Sequence, residues 1–349
     1  MMGVVLLAVG FWALGWVMSV PVARRLWVLG ALWVTAVLLH LLLPEGHGLR
    51  ALAGGDARVW AVVGGLGVLV FGYGALLRRL RSRATPAAAE EPSPSGFRAA
   101  ELDRYARHIL LREIGGPGQA RLKAARVLVV GAGGLGSPAL LYLAAAGVGT
   151  IGVIDDDSVE GSNLQRQIIH TDDRIGMPKV QSATIAMRAL NPFVELRPYQ
   201  RRLDAETAAA LVADYDLVLD GTDNFDTRYL VNRACAEAGK PLISAAITQW
   251  EGQISLYDPA HGGPCYECVF PERPQPGMVP TCAEAGVAAP LPGIIGAMMA
   301  MEAVKHITGA GEGLRGRLMI HDALYGETRM IGIKPRPDCP VCRSAQPIA

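Results

Sequence analysis

The sequence has almost no net charge. Its 33 lysines and arginines face 32 aspartates and glutamates. That argues against a nucleic-acid binder, whose binding domain is as a rule strongly basic. Cysteine is missing from most of the chain: all six, Cys235, Cys265, Cys268, Cys282, Cys339 and Cys342, come after residue 234. Charge is missing from the N-terminus, where no charged side chain occurs before Arg24. Without a basic start or a small-residue cleavage site, the first apolar stretch does not read as a cleaved signal peptide. No internal repeat is visible, which sets aside solenoids and propellers.

What is present is unevenly spread. A length of 349 residues fits about two domains. The mean hydropathy of +0.27 is high for a soluble enzyme, and its source is local, in residues 1–83. Three apolar runs there, 4–22, 27–43 and 60–77, each approach the ~20 residues that cross a bilayer. Arg24 and Arg25 follow the first run; Arg78, Arg79, Arg81 and Arg83 follow the third. The positive-inside rule places both clusters in the cytoplasm. The expectation is a three-span anchor in the inner (cytoplasmic) membrane, N-terminus outside, with everything after Arg83 inside. A buried helical hairpin is the rival, but it would need polar faces that these runs lack. Residues 84–99 are rich in Pro, Ala and Ser and read as a semi-extended tether.

Over 100–349 strand-like and helix-like runs alternate. This is the pattern of an α/β domain, with a Rossmann-like, mostly parallel sheet and crossover helices. Strands are expected near 126–130, 150–155, 194–198, 216–220, 242–245, 253–257 and 317–321, and helices near 138–146, 207–213, 228–238 and 294–308.

Gly131, Gly133, Gly134 and Gly136 form G-x-G-x-x-G between the first of these strands and a helix. Such glycines allow a tight turn and let backbone N–H groups approach phosphates at a helix N-terminus. Asp155, at the end of the next strand, sits near the spacing at which a carboxylate holds ribose hydroxyls. So far a dinucleotide enzyme fits as well as an ATP enzyme. Next come Ser162, Asn163, Leu164, Gln165 and Arg166, and Arg166 offers a fork of donors to phosphate oxygens. Lys179 supplies a second positive charge on a segment entering a helix. Asp223, just past a strand, lies where ligands bind in open α/β folds and where an acid suits Mg²⁺. Taken singly, Arg166 and Lys179 fit surface charges and Asp223 fits a helix N-cap. In order, they are far more specific.

The run from Asp155 through Ser162-Asn163-Leu164-Gln165-Arg166-Gln167, the segment Gly176-Met177-Pro178-Lys179 and the turn Thr222-Asp223-Asn224 resemble the nucleotide site of the MoeB/ThiF/HesA family. These are prokaryotic relatives of ubiquitin-activating enzymes, and the resemblance runs from Arg104 to Cys342. It implies an adenylyltransferase that uses ATP and Mg²⁺ on the C-terminal glycine of a ubiquitin-like sulfur-carrier protein, of the molybdopterin or thiamine type. A separate sulfur donor would then complete the pathway. Asn224 falls with Asp223 in the nucleotide site on this likeness. It further implies a homodimer in which Arg107 reaches the partner's ATP site; from its own surroundings Arg107 would be an ordinary helix-surface residue. Two other classes stay open, a membrane-bound NAD-dependent oxidoreductase and a non-catalytic nucleotide-binding scaffold.

Cys265-x-x-Cys268 and Cys339-x-x-Cys342 suit a closed, structural Zn²⁺ site of four thiolates, with a redox C-x-x-C as the rival. The family resemblance also points to zinc. Cys282 matches the family's crossover-loop cysteine, which in some members carries the activated carboxyl. Cys235, His261 and His321 read as core, turn and strand residues.

Overall fold

The computed structural model describes residues 2–54, 56–83, 96–275 and 285–342, in two units, Met1–Glu91 and Pro92–Ala349. The first unit is helical: α1 (Met2–Val17), α2 (Val22–Leu42), α3 (Gly48–Ala53) and α4 (Ala57–Arg83). Two stretches, Arg24–Leu42 and Ala57–Leu77, are long and apolar enough to cross a membrane, with only 11% and 6% of them buried. The expected first span is corrected. Helix α1 has 16 residues, about 24 Å of rise against a hydrocarbon core of about 30 Å. The helix stops where Ser19 takes a left-handed φ of 53° and Pro21 cannot donate a helical N–H; Pro21 instead leads into α2. Helices α2 and α4 meet at Trp33, whose Nε1 donates to the Trp60 carbonyl at 2.9 Å. The Trp33 ring lies against Gly64, where a Cβ would sit 2.2 Å from it, so glycine is required there.

The second unit is built on eight strands: β1 (Arg126–Val130), β2 (Thr150–Ile154), β3 (Glu195–Tyr199), β4 (Leu217–Asp220), β5 (Leu242–Ile247), β6 (Glu251–Tyr257), β7 (Arg317–Asp322) and β8 (Glu327–Gly332). They form one sheet in the order β3-β2-β1-β4-β5-β6-β7-β8. Pairings from β3 to β5 are parallel, and those from β5 to β8 are antiparallel. The sheet is therefore mixed, where the sequence suggested a mostly parallel one. The reason is connection length: only residues 248–250 join β5 to β6, and 323–326 join β7 to β8, too few for a crossover helix.

The helices of this unit are α5 (Ala99–Ile109), α6 (Gly115–Ala124), α7 (Gly136–Ala146), α8 (Lys179–Leu190), α9 (Ala205–Ala213), α10 (Phe225–Glu237), α11 (Tyr266–Val269) and α12 (Pro290–Thr308). Successive residues of β1 point to opposite faces. Val127 and Val129 join Leu140, Leu143, Ile295 and Met299 in one core, while Leu128 and Val130 join Leu211, Val212 and Tyr229 in the other. Both faces of the central strands are buried, which is why they read as continuous apolar runs. The three-layer packing fixes β1, β2 and β4 side by side, so their carboxyl ends open together.

Candidate functional site

The glycine loop leaves β1 with Gly131 at φ +93°, and its N–H donates to the Ile154 carbonyl at 2.9 Å. A Cβ on Gly136 would lie 1.9 Å from the Gly131 oxygen. These two positions admit no side chain. Gly133 is different: a Cβ there would meet only the Gln167 amide, at an ordinary contact distance of 3.7 Å, so no clash requires glycine. A Cβ on Gly134 would stand 3.1 Å from the Pro292 ring, tighter than ordinary contact.

Asp155 holds this loop directly. One carboxylate oxygen accepts the Ala132 N–H at 2.7 Å, and the other accepts the Asp157 N–H at 2.9 Å. Burial pushes the Asp155 carboxyl above its ordinary range, against the pull of the Ala132 N–H and Lys179. Lys179, the first residue of α8, is only 6% exposed, and its Nζ lies 2.7 Å from an Asp157 oxygen. Between them, Gly161–Asn163 forms a short 3-10 turn. There Asn163 Nδ2 donates to Ser162 Oγ at 3.4 Å, and Arg166 Nη1 donates to the Ser162 carbonyl at 3.3 Å. The Arg166 stem runs past Gly134, 3.7 Å from where a Cβ would stand. Leu164 is half-buried and Gln165 exposed.

The turn after β4 sits against the same loop, with the Gly221 oxygen 3.2 Å from a Cβ position on Gly131. Asn224 caps α10 by accepting the Thr227 N–H at 2.8 Å. The cap therefore belongs to Asn224, and Asp223 is exposed, with no hydrogen bond or ion pair among the described residues. Beneath it lies a buried network that the sequence did not reveal. Asp220, fully buried, accepts the Thr222 N–H at 3.0 Å and the Ser244 hydroxyl at 2.8 Å. Arg228, 4% exposed, donates to the Thr222 carbonyl at 2.6 Å and faces Asp220 at 3.8 Å. Gln167, the last residue of the motif run, and His170, which was missed, are both buried beside the loop. The partners of His170 lie 38 residues earlier and 12 later, and nothing in local pattern marks it.

The structure thus gathers Gly131, Gly133, Gly134, Gly136, Asp155, Arg166, Lys179 and Asp223 at one end of the sheet. Arg107 stands apart. It is exposed on α5, in a cleft of about 190 Å³ shared with Arg104, His108, Tyr142 and Ala145. That cleft lies on the later turns of α7, whose first residue closes the glycine loop. Cys282 lies outside the described residues.

A second cluster joins Cys265, Cys268, Cys339 and Cys342, all buried, with ligand atoms within 4.8 Å of one another. The Sγ separations of 3.7, 3.5 and 3.4 Å exclude disulfides, in which sulfurs lie ~2.05 Å apart. They match the edge of a tetrahedron with metal–sulfur distances of about 2.3 Å. The Cys268 thiol is held well below its ordinary range, first by its hydrogen bond from Cys265 and then by the Arg336 N–H. Cys265, by that same contact, and Cys342, by burial, are pushed up instead, so the cluster shares its protons, which a bound metal would displace.

Among solved structures, E. coli MccB with ATP superposes with a TM-score of 0.60 at 24% identity, over 69% of this chain and 74% of that one. PaaA gives 0.60 at 23%, over 83% and 91%. Both establish the fold. The "SAMP-activating enzyme E1" of Haloferax volcanii is 50% identical over 244 residues, 70% of this chain and 90% of that protein. The "Sulfur carrier protein adenylyltransferase" of Thermus thermophilus is 50% identical over 246 residues, 69% and 91%. "Adenylyltransferase and sulfurtransferase MOCS3" of Bos taurus is 48% identical, over 72% of this chain and 55% of its own length. The ThiF family model matches residues 105–341, from the helix bearing Arg107 to the second cysteine pair, and the chain belongs to the ThiF family.

Proposed function

We propose that this chain adenylates the C-terminal glycine carboxylate of a ubiquitin-like sulfur-carrier protein, consuming ATP and releasing pyrophosphate. The carrying observation is the convergence of the glycine loop, Asp155, Arg166, Lys179 and an exposed Asp223 at one sheet end, in a chain 50% identical over 246 residues to a sulfur carrier protein adenylyltransferase. The carrier's terminal carboxylate, with a pKa of about 3.5, is ionised at neutral pH and needs no general base. It attacks the α-phosphorus, and pyrophosphate leaves. The chain's task is to place the two anions and offset their charge. Loop N–H groups and Arg166 do so directly. Lys179 does so by exchanging Asp157, which is largely exposed and is readily resolvated, for a phosphate oxygen.

Asp223 and Asn224 close the other side. A carboxylate beside a triphosphate is repelled by about 4 kcal/mol per charge pair at 4 Å, so Asp223 fits the site as a holder of Mg²⁺. That ion would supply counter-charge to the phosphates. Arg107, on the far side of α7 from its own loop, fits a homodimer in which the partner's Arg107 completes each site. The product acyl-adenylate awaits a separate sulfur donor.

Residues 1–83 fit a two-helix anchor, with the basic clusters around Arg24 and Arg79 at the cytoplasmic face of the inner membrane and the enzyme domain beyond them in the cytoplasm. One experiment tests anchor and activity together. Carrier-dependent ATP–pyrophosphate exchange should sediment with salt-washed membranes and be released by detergent. Exchange in the soluble fraction would remove the anchor, and membranes that bind NAD but exchange no pyrophosphate would remove the adenylylation.

The four cysteines fit a structural Zn²⁺, which would staple the chain's last turns to the β6–α11 segment and supply no chemistry. About one zinc per chain should be found by plasma mass spectrometry, and Cys339→Ser should lower the melting midpoint by on the order of 10 °C. A metal-free wild-type protein of unchanged stability would rule the site out.

A further inference from the structure

His170 is buried, 5% exposed, and no motif accounts for it. Its two ring nitrogens bridge the glycine loop to the helix that carries Lys179. Nε2 lies 2.9 Å from the Ala132 carbonyl, and Nδ1 lies 2.9 Å from the Ser182 hydroxyl on α8. A carbonyl can only accept, so Nε2 bears the proton, and a neutral ring then takes the Ser182 proton on Nδ1. Ala132 is thereby gripped on both sides, its N–H by Asp155 at 2.7 Å and its carbonyl by His170. In a trans peptide the carbonyl and the following N–H point in opposite directions. With the Ala132 carbonyl turned inward to His170, the Gly133 N–H points the opposite way, and it has no acceptor among the described residues.

We propose that His170 is a positioning residue that sets which way the loop's donors face, acting as a neutral imidazole protonated on Nε2. This rests on the nucleotide reading of the loop given above. The charged groups facing the ring are Lys179 and Arg174, both cationic; burial first, then these two, hold its pKa below the ordinary 6.5, against the pull of the Ala132 carbonyl. The neutral form is therefore the one present at pH 7, and proton uptake begins only on acidification below the ordinary value. The imidazolium would have to donate toward the Ser182 oxygen and put a third positive charge beside Lys179 and Arg174.

Two measurements on the full chain in detergent test this. The chain has seven histidines. In long-range ¹H–¹⁵N spectra, the signals that vanish in His170→Gln identify the ring. They should report a neutral Nε2–H tautomer that persists to lower pH than a free histidine. An Nδ1–H tautomer, or ordinary titration near 6.5, would overturn the proposal whatever the ligand results. By calorimetry with ATP and Mg²⁺, His170→Phe, which keeps a ring but no donor, should bind roughly tenfold or more weakly, as expected when a buried carbonyl loses its partner. His170→Gln, whose amide reaches the same carbonyl, should recover most of the affinity. Equal affinity of His170→Phe and wild type, or no recovery in a folded His170→Gln, would also overturn it. A wild-type chain that binds no ATP would instead refute the adenylylation reading, and the spectra would still decide the tautomer.

Discussion

Asp223→Ala is expected to reduce carrier-dependent ATP–pyrophosphate exchange by on the order of 10²-fold or more, the usual scale for losing one charged contact in a closed, low-dielectric site. The melting midpoint should move by no more than about 1–2 °C, because exposed side chains without partners contribute within about 0.5 kcal/mol. Among the described residues Asp223 is such a side chain. Its neighbours are not, and they serve as controls. Asn224→Ala removes the cap of α10 and should cost about 1 kcal/mol of stability, with a smaller loss of activity. Asp220→Ala strips a fully buried carboxylate from Arg228, Thr222 and Ser244. It should unfold the domain or nearly so, since an uncompensated buried arginine costs several kcal/mol. Near-normal exchange by Asp223→Ala would show that the metal ligand lies elsewhere, and the Asp155-Asp156-Asp157 cluster would be the next place to look.

The parts of this fold that were legible in the sequence are those whose burial writes a pattern. Strand β1 is apolar from Val127 to Val130 because it has helices on both faces. The glycine loop was legible because Gly131 and Gly136 cannot be anything else. Strand β8 is exposed along its whole length, so no face of it is selected to be apolar and no period appears. Helix α6 opens on Gly115-Gly116-Pro117-Gly118, residues that read as a turn. The first membrane run was read as one span because hydropathy continues to Val22, while the backbone breaks at Ser19 and Pro21. In the site, the residues proposed to meet a ligand could be picked out by type and order. The groups that hold those residues were not. His170 acts on Ala132, 38 residues earlier, and Arg228 acts on Ser244, 16 residues later. Such pairings exist only once the sheet has assembled, and a buried histidine or arginine has no sequence signature of its partner.

Arg107 offers the sharpest test of how the site is completed. It is exposed on α5, beside Tyr142 and Ala145 on the later turns of α7. Its own loop closes at Gly136, the first residue of α7. Tyr142 and Ala145 stand six and nine residues past Gly136 on α7, about 9–14 Å along the axis at 1.5 Å per residue, farther than an arginine side chain reaches. A two-fold dimer removes the difficulty, because each subunit's Arg107 can serve the other's loop. Arg107→Ala and Asp223→Ala should then each be nearly inactive as homodimers. Mixed together and allowed to exchange subunits, they regenerate one intact site in every heterodimer: the Arg107→Ala chain supplies Asp223, and the Asp223→Ala chain supplies Arg107. Random pairing makes half the dimers mixed, each with one working site of two, so about a quarter of wild-type exchange should return. If Arg107 served its own chain, each site in the heterodimer would lack one group and almost nothing would return. Failure to recover activity, with heterodimers confirmed by native mass spectrometry, would refute the shared site and leave Arg107 as a surface charge.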